Sequence, residues 1–350
     1  TNTVALGPGV IRSISGTNVW AGHVEMAGGA GSSGFAADAG AGLIIHGTVY
    51  PSMSDRVLYL DGAGVGILRG VISNGANPSL PIYKEGTGMW TIAATNQASG
   101  NTTIASGTLR IGEGGTIGNL AAGSVTNHGT LIFDRSDTYV VPNTISGSGA
   151  LIQAGPGMTV LTANNTYSGP STVSNGTLRV DGTYSGGGLI TVEGGTLAGT
   201  GSVGPVTVNN GILAPGASPG VLTANGTVTL NSGATFSVEL NGLTPGTEYD
   251  QLLLNGNTLW LNSPTLAATV GFTPSLGDYF DIVTGLSGFD PSTYGTFAGL
   301  PDGATFASGT TQLQIDYQAD RIRLTVVPEP STLGLLSLTF FGAILRRRLR

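Results

Sequence analysis

Two short motifs in this sequence have the spacing of catalytic or cofactor-binding loops. Residues 216–220 (GASPG) fit G-x-S-x-G, where a serine on a strand-to-helix turn acts as a nucleophile with a later histidine. Residues 199–204 (GTGSVG) fit the dinucleotide fingerprint, which requires a helix immediately afterwards. Pro205 and a strand-like segment follow instead, and every histidine precedes Ser218. We therefore expect both motifs to form structural turns that neither catalyse a reaction nor bind a cofactor.

Other chemistry-bearing side chains are sparse. The three histidines are His23, His46 and His128, and no pair has metal-ligand spacing. The tightest acidic cluster is Asp134 and Asp137 around Arg135, which we interpret as a solvated ion pair in a loop. Carbohydrate-active β-helices place two or three carboxylates on one face. We predict no enzyme, catalytic residue, metal or cofactor, with such an enzyme as the alternative.

Composition excludes several classes of protein. The chain has 350 residues with 59 Gly, no Cys and 9% charged residues, against about 7% Gly and about 25% charged in ordinary domains. Its 40% hydrophobic residues nevertheless allow a large core. The net charge is −7, and four of the 13 basic residues lie in the last five positions. The acidic body argues against nucleic-acid binding, and the absence of Cys excludes disulfides.

Internal repeats dominate the body of the chain. Residues 88–111 (GMWTIAATNQASGNTTIASGTLRI) align without a gap with residues 157–180 (GMTVLTANNTYSGPSTVSNGTLRV), at an offset of 69. Residues 190–204 align with 206–220 at an offset of 16. Each unit alternates apolar with polar residues between Gly or Asn-Gly turns, which predicts short strands.

Such units are too small to bury their own apolar face, so they must stack on one another. We therefore predict an all-β, right-handed parallel β-helix (solenoid); a hairpin sandwich is the alternative. The predicted divisions are an N-terminal β region forming an incomplete solenoid (1–54), β-strand repeats (55–235), a C-terminal β region (236–326) and a tail (327–350).

The C-terminal β region is richer in aromatic residues than the repeats. One interpretation is a β cap over the exposed strand edges of the solenoid end. The other is a glycan-binding module, in which exposed rings such as Tyr249, Trp260 or Tyr279 stack on sugars. Burial of these rings would remove the second interpretation.

The repeats resemble a known family. Residues 165–169 (NTYSG) followed by 176–178 (GTL) are similar to the autotransporter-associated β-strand repeat, as are residues 84–92 (KEGTGMWTI). The first copy departs from the pattern, because Gln97-Ala98 replaces a Thr-Tyr pair. The resemblance covers residues 55 to 325 and implies a β-helical, passenger-like stalk at the cell surface, without chemistry.

The last 24 residues have three parts in a fixed order. The tripeptide Pro328, Glu329 and Pro330 comes first, followed by an apolar stretch and then by Arg346, Arg347, Arg348 and Arg350. The 15 residues from 331 to 345 would span roughly 22 Å as a helix, somewhat short of the ~30 Å hydrocarbon core. This predicts a short transmembrane helix with its arginines in the cytoplasm; a plain tail anchor is the alternative.

This order closely resembles the PEP-CTERM sorting signal of Gram-negative bacteria. The resemblance implies recognition by an exosortase, a membrane cysteine transpeptidase, near the Pro-Glu-Pro tripeptide. The inner-membrane anchor would then be transient, and the body would be displayed at the cell surface or released outside the cell.

The function predicted from these features is structural. We expect an exported cell-surface or extracellular-matrix protein that serves adhesion or a biofilm rich in exopolysaccharide, with exopolysaccharide as a candidate partner. The alternatives are a carbohydrate-active β-helix enzyme and a glycan-binding surface protein.

Overall fold

The computed structural model describes residues 3–6, 9–27 and 33–329. Within these ranges the regular secondary structure is almost entirely β, with a single short helix, α1 (Pro291–Tyr294). The strands of the N-terminal half are β1 (Thr3–Leu6), β2 (Gly9–Ser13), β3 (Thr17–Trp20), β4 (His23–Met26), β5 (Ser33–Ala37), β6 (Gly42–Ile45), β7 (Val49–Pro51), β8 (Leu58–Gly62), β9 (Val65–Leu68), β10 (Ile82–Lys84), β11 (Met89–Ile92), β12 (Thr102–Ile104), β13 (Thr108–Ile111), β14 (Val125–Asn127), β15 (Thr130–Phe133), β16 (Thr138–Val141), β17 (Ile145–Ser146) and β18 (Ala150–Gln153).

The remaining strands belong to the C-terminal half of the chain. They are β19 (Met158–Leu161), β20 (Ser171–Val173), β21 (Thr177–Val180), β22 (Ile190–Val192), β23 (Thr196–Gly199), β24 (Ser202–Val203), β25 (Val206–Pro215), β26 (Val221–Ala224), β27 (Val228–Leu240), β28 (Gln251–Leu253), β29 (Leu259–Asn262), β30 (Thr265–Val270), β31 (Tyr279–Thr284), β32 (Gly295–Thr296), β33 (Thr305–Ser308), β34 (Thr311–Tyr317) and β35 (Arg321–Val327).

The strands stack in parallel into three faces, one strand per face in most turns. Face A comprises β3, β6, β9, β11, β13, β15, β18, β20, β22, the first parts of β25 and β27, β29 and β32. Face B comprises β1, β4, β7, β16, β19, β21, β23, the later parts of β25 and β27, and β30. Face C comprises β2, β5, β8, β10, β12, β14, β17, β24, β26, β28 and β31. The fold is a β-solenoid, which confirms the predicted stacking over the sandwich.

Alternation along each strand builds the core. On face A, Trp90, Leu109, Leu131 and Leu151 lie in register on successive turns and are fully or almost fully buried. Burying a side chain of this size stabilises the fold by about 1.5–3 kcal/mol, so the stacked turns share one continuous core. The turn below Trp90 supplies Gly66, where a Cβ would lie 2.3 Å from the indole. A glycine is therefore required under the largest side chain of the core.

Polar side chains also point inward where a strand ends at a corner. The Lys84 ammonium is fully buried and donates hydrogen bonds to the carbonyls of Glu85 (2.5 Å), Gly86 (2.9 Å) and Ser106 (3.1 Å). Gln153 serves a later corner, where Nε2 donates to the carbonyls of Gly155 and Gly157. These side chains provide donors to corner carbonyls, of which only that of Gly157 also accepts a backbone N–H within the described ranges, from Thr177.

The stacking is continuous across two of the predicted divisions. β5 pairs with β8 on either side of residue 54, and β27 runs through residues 235 and 236 with its ladder to β30 intact. The change in composition at residue 236 therefore falls inside a strand. The predicted division of the chain into four regions remains a prediction.

An antiparallel sheet follows the last turns. β35 pairs antiparallel with β31 and with β34, and β34 pairs with β33. Phe280, Phe297, Ile315 and Leu324 are fully buried in this region. The sheet pairs with the edge of β31, the last strand of face C, and its role as a β cap remains a prediction.

No helix in the described ranges is long and apolar enough to cross a membrane. The predicted transmembrane segment (331–345) and its four arginines lie outside the described residues.

Candidate sorting site and surface cavities

The tripeptide predicted as a sorting signal begins directly after the last described strand. β35 stops at Val327, and Pro328 and Glu329 come directly after it, both exposed. Proline has no backbone N–H, so the ladder cannot continue through Pro328. Pro330, Arg346, Arg347, Arg348 and Arg350 lie outside the described residues. The part of the tripeptide that the structure describes is thus accessible at the edge of the cap.

The G-x-S-x-G motif forms a turn on the solenoid, as predicted. Ser218 has a positive φ of 71°, and its hydroxyl donates to Glu239 Oε2 at 2.5 Å. Acyl transfer also requires backbone N–H donors for the oxyanion. Pro219 has no N–H, and the N–H of Gly220 is taken by Asp250 Oδ1 at 2.9 Å. The backbone after Ser218 therefore offers no oxyanion hole.

Asp250 is the buried carboxylate that holds this turn in place. Besides Gly220, it accepts the N–H of Glu239 at 2.8 Å, so it ties the turn to β27. Burial raises the pKa of Asp250 to about 6, although both N–H groups favour the charged form. Sequence reasoning missed this role. The only signal was a lone acid in the strand-like run 249–252.

A cavity of about 250 Å³ lies beside this turn. Three charged side chains line it: Arg179, Glu239 and Asp250. Arg179 is paired with Asp181 at 2.8 Å, and both oxygens of Asp250 accept backbone N–H groups. The three charged side chains thus all make structural contacts, and no pair of free carboxylates faces this cavity.

The remaining chemical candidates also have structural roles. Residues 199–204 lead from β23 into β24 and then β25, with no helix to bind a pyrophosphate. His23 Nδ1 accepts the N–H of Thr48, and His128 Nδ1 lies 3.1 Å from Ser148 Oγ. Within the described ranges, no three His, Asp or Glu side chains are grouped to hold a metal ion.

The predicted ion pair around Arg135 forms only in part. Arg135 pairs with Asp137 at 2.8 Å, but Asp134 turns instead to Arg110 of the preceding turn, at 3.4 Å. Only 12% of the Arg135 side chain is exposed, because it packs over the ring of Tyr139. The interpretation as a solvated loop pair is therefore wrong for Arg135.

The three aromatic candidates for sugar stacking differ in exposure. Tyr249 is buried, which removes it as a stacking platform, whereas Trp260 is 38% and Tyr279 is 51% exposed. Tyr279 lines a cavity of about 360 Å³ at the cap, together with Leu243 and Pro245. The guanidinium of Arg323 lies 3.9 Å from the Tyr279 ring centre and is itself fixed by Asp281.

Comparisons with known proteins agree with the repeats and the tail. Residues 82–111 and 151–180 match the passenger-associated-transport-repeat family, and residues 326–348 match the PEP-CTERM protein-sorting motif. These matches confirm the predicted resemblance of the repeats and of the tail to the two families over the matched segments.

One relative is the adhesin BmaC autotransporter of Brucella suis biovar 1 (strain 1330), 38% identical over 135 residues. The match covers 37% of this chain and 3% of the adhesin, so the chain corresponds to a small part of that protein. Together with the sorting motif, this similarity supports an exported surface protein, and it is consistent with a non-enzymatic role.

Proposed function

We propose that this protein is a structural component of the cell surface or extracellular matrix, sorted by an exosortase through its C-terminal tail. The sorting-motif match over residues 326–348 carries the proposal. The exposed Pro328 and Glu329, directly after the last strand, support it because a membrane enzyme could reach them without unfolding the cap.

In this proposal the tail is a sorting signal that is removed after the protein reaches the membrane. Pro328, Glu329 and Pro330 form the recognition site, residues 331–345 a short transmembrane helix, and Arg346, Arg347, Arg348 and Arg350 the cytoplasmic anchor of a transient inner-membrane state. The body, which we propose winds right-handedly, then serves adhesion or a biofilm. The similarity to an adhesin supports the adhesive part.

Mass spectrometry of the C-terminus of the protein recovered from cells tests the sorting. We expect the dominant species to end close to Pro328-Glu329-Pro330 and to lack residues 331–350. Replacing both motif prolines by alanine should restore the intact chain, whereas the matched variant Pro301→Ala, at an exposed proline in a cap turn, should be processed normally. Recovery of intact Arg350 as the main species from unaltered cells would contradict the proposal.

The adhesive part is tested separately by deleting the gene. Unchanged aggregation, attachment and matrix composition would remove that part and leave the sorting intact.

A further inference from the structure

A gap in face B distinguishes the turn that contains Asn96 from later turns. Single-residue pairings link Val49, Ile72 and Asn96 up this face, but the next turn contributes a loop in place of a strand. The side chain of Asn119 substitutes for the missing strand. Its Oδ1 accepts the N–H of Asn96 at 2.8 Å, and its Nδ2 donates to the Asn96 carbonyl at 2.7 Å.

An open cavity of about 300 Å³ lies at this gap. Its walls include Asn96, Gln97, Ala98, Asn119, Tyr139 and Val140. No charged side chain is among the described residues that line it. Its volume is at the lower end of the range for small-molecule sites, which suits a single ring better than a large ligand.

One lining side chain has an unused hydrogen-bond donor. Asn96 is only 5% exposed, its Oδ1 accepts the N–H of Ala98, and its Nδ2 has no partner within the described part of the chain. An unpaired buried amide donor costs about 1–3 kcal/mol. This nitrogen has almost no accessible surface, so a ligand oxygen removes that cost once the cavity wall at Asn96 shifts to admit it.

In the second repeat copy the equivalent position has no unused hydrogen-bond donor. Asn165, the equivalent of Asn96, uses its whole amide: Oδ1 accepts the N–H of Ile145 and Nδ2 donates to the Ala163 carbonyl. Tyr167, at the position equivalent to Ala98, is 99% buried, and its hydroxyl lies 2.7 Å from Ser171 Oγ. The open donor and the cavity therefore occur in the copy where the repeat's tyrosine is replaced by alanine.

We propose that this cavity is a binding site for one neutral sugar ring. A buried amide donor at Asn96 matches a sugar hydroxyl or ring oxygen, the amide of Gln97 lies at the exposed rim, and Tyr139 and Val140 provide an apolar wall. The absence of charge from the described lining disfavours uronic acids and amino sugars. The proposal gives a ligand class to the surface function proposed above, and it is measured independently of sorting.

The test is ligand-observed saturation-transfer NMR with the full chain in mild detergent. The probes are glucose, galactose, mannose and N-acetylglucosamine, with glucuronate and glucosamine as charged comparators. We expect at least one neutral sugar to receive saturation and both charged sugars to receive far less.

Two variants locate the binding. Val140→Trp fills the mouth of the cavity at a residue that is 51% exposed, so the fold should tolerate it; affinity should fall by about tenfold or more, the equivalent of one or two hydrogen bonds. Ala98→Tyr restores the residue of the second copy and should have the same effect. Tyr279→Ala, at the cap cavity, should leave binding unchanged, and circular dichroism melts confirm that each variant folds.

Three results would overturn the proposal. They are the absence of saturation in every neutral sugar, loss of binding in Tyr279→Ala but not in Val140→Trp, and an experimental structure in which water alone satisfies Asn96 Nδ2 at high sugar concentration. None of these outcomes bears on the mass of the mature C-terminus, so the sorting proposal stands or fails separately.

Discussion

The two copies of the transport repeat share a pattern but occupy different faces of the solenoid. In the first copy β10 lies on face C and β11 on face A, whereas in the second the equivalent strands β18 and β19 lie on faces A and B. The offset of 69 residues is therefore a whole number of turns plus one face. The repeat encodes a strand, a corner and another strand, and the chain between the copies decides which face they join.

The copies also differ in what they place inside. The first has Trp90 and the charged Lys84, and the second has Thr159 and the neutral Gln153 at the equivalent positions. All four side chains are almost completely buried. The same backbone unit thus accepts an aromatic ring or a hydroxyl, and a cation or an amide, provided that corner carbonyls find donors.

The largest difference in stability between the copies should appear when the side chain at the position of Trp90 and Thr159 is removed. Trp90→Ala removes a fully buried indole and its 2.9 Å hydrogen bond to the Asp61 carbonyl, so we expect a loss of about 3–5 kcal/mol in the free energy of unfolding. The matched Thr159→Ala should cost about 1 kcal/mol. Guanidinium denaturation followed by circular dichroism measures both. Equal losses would show that the two copies bury comparable cores.

The charged corner should give the first copy a rise in stability with pH that the matching corner of the second copy lacks. Burial lowers the pKa of Lys84 to about 8, against an ordinary value of 10.5. Between these values the unfolded chain binds more protons than the folded one, so the unfolding free energy should rise with pH from about 8 to about 10.5. Lys84→Met should flatten this rise relative to the unaltered chain, whereas Gln153→Met should not. Tyrosine ionisation is common to all three proteins and cancels in the comparison.

The smallest effect concerns the hydroxyl that only the second copy buries. Tyr167→Phe should cost about 1 kcal/mol, because it leaves the buried Ser171 hydroxyl without its 2.7 Å partner. Adding Ser171→Ala should recover part of the loss, since both polar groups are then absent. A strictly additive double variant, measured by the same denaturation, would show that the hydrogen bond contributes nothing.

Much of the fold follows from local pattern. Alternation places Leu109 and Leu178 inside, and the Gly-rich corners predict short strands that must stack. Alternation also puts Lys84 inward, two residues after the buried Ile82, but its charge argues for exposure. The conflict is resolved only by three carbonyls, one of which comes from the next turn. Contacts of this kind, between successive turns, cannot be predicted from a short stretch of sequence.

The candidate sites were harder to predict, for the same reason. The departure at Gln97-Ala98 was visible in the sequence, yet its consequence depends on Asn119 replacing a strand one turn away. Asp250 lies 30 residues from the glycine whose N–H it accepts. By contrast, the predicted sorting tripeptide and the tail are contiguous, so their order alone was enough to predict the motif that residues 326–348 match.

The central position of β35 in the cap has a mechanical consequence. This strand is hydrogen-bonded along most of its length to β31 on one side and to β34 on the other, and it ends directly before Pro328. A chain held at the sorting tripeptide and pulled by its body would transmit tension along β35. That load would shear two ladders at once, so many hydrogen bonds would have to break together. The end of the described body would therefore resist such a pull through both ladders together.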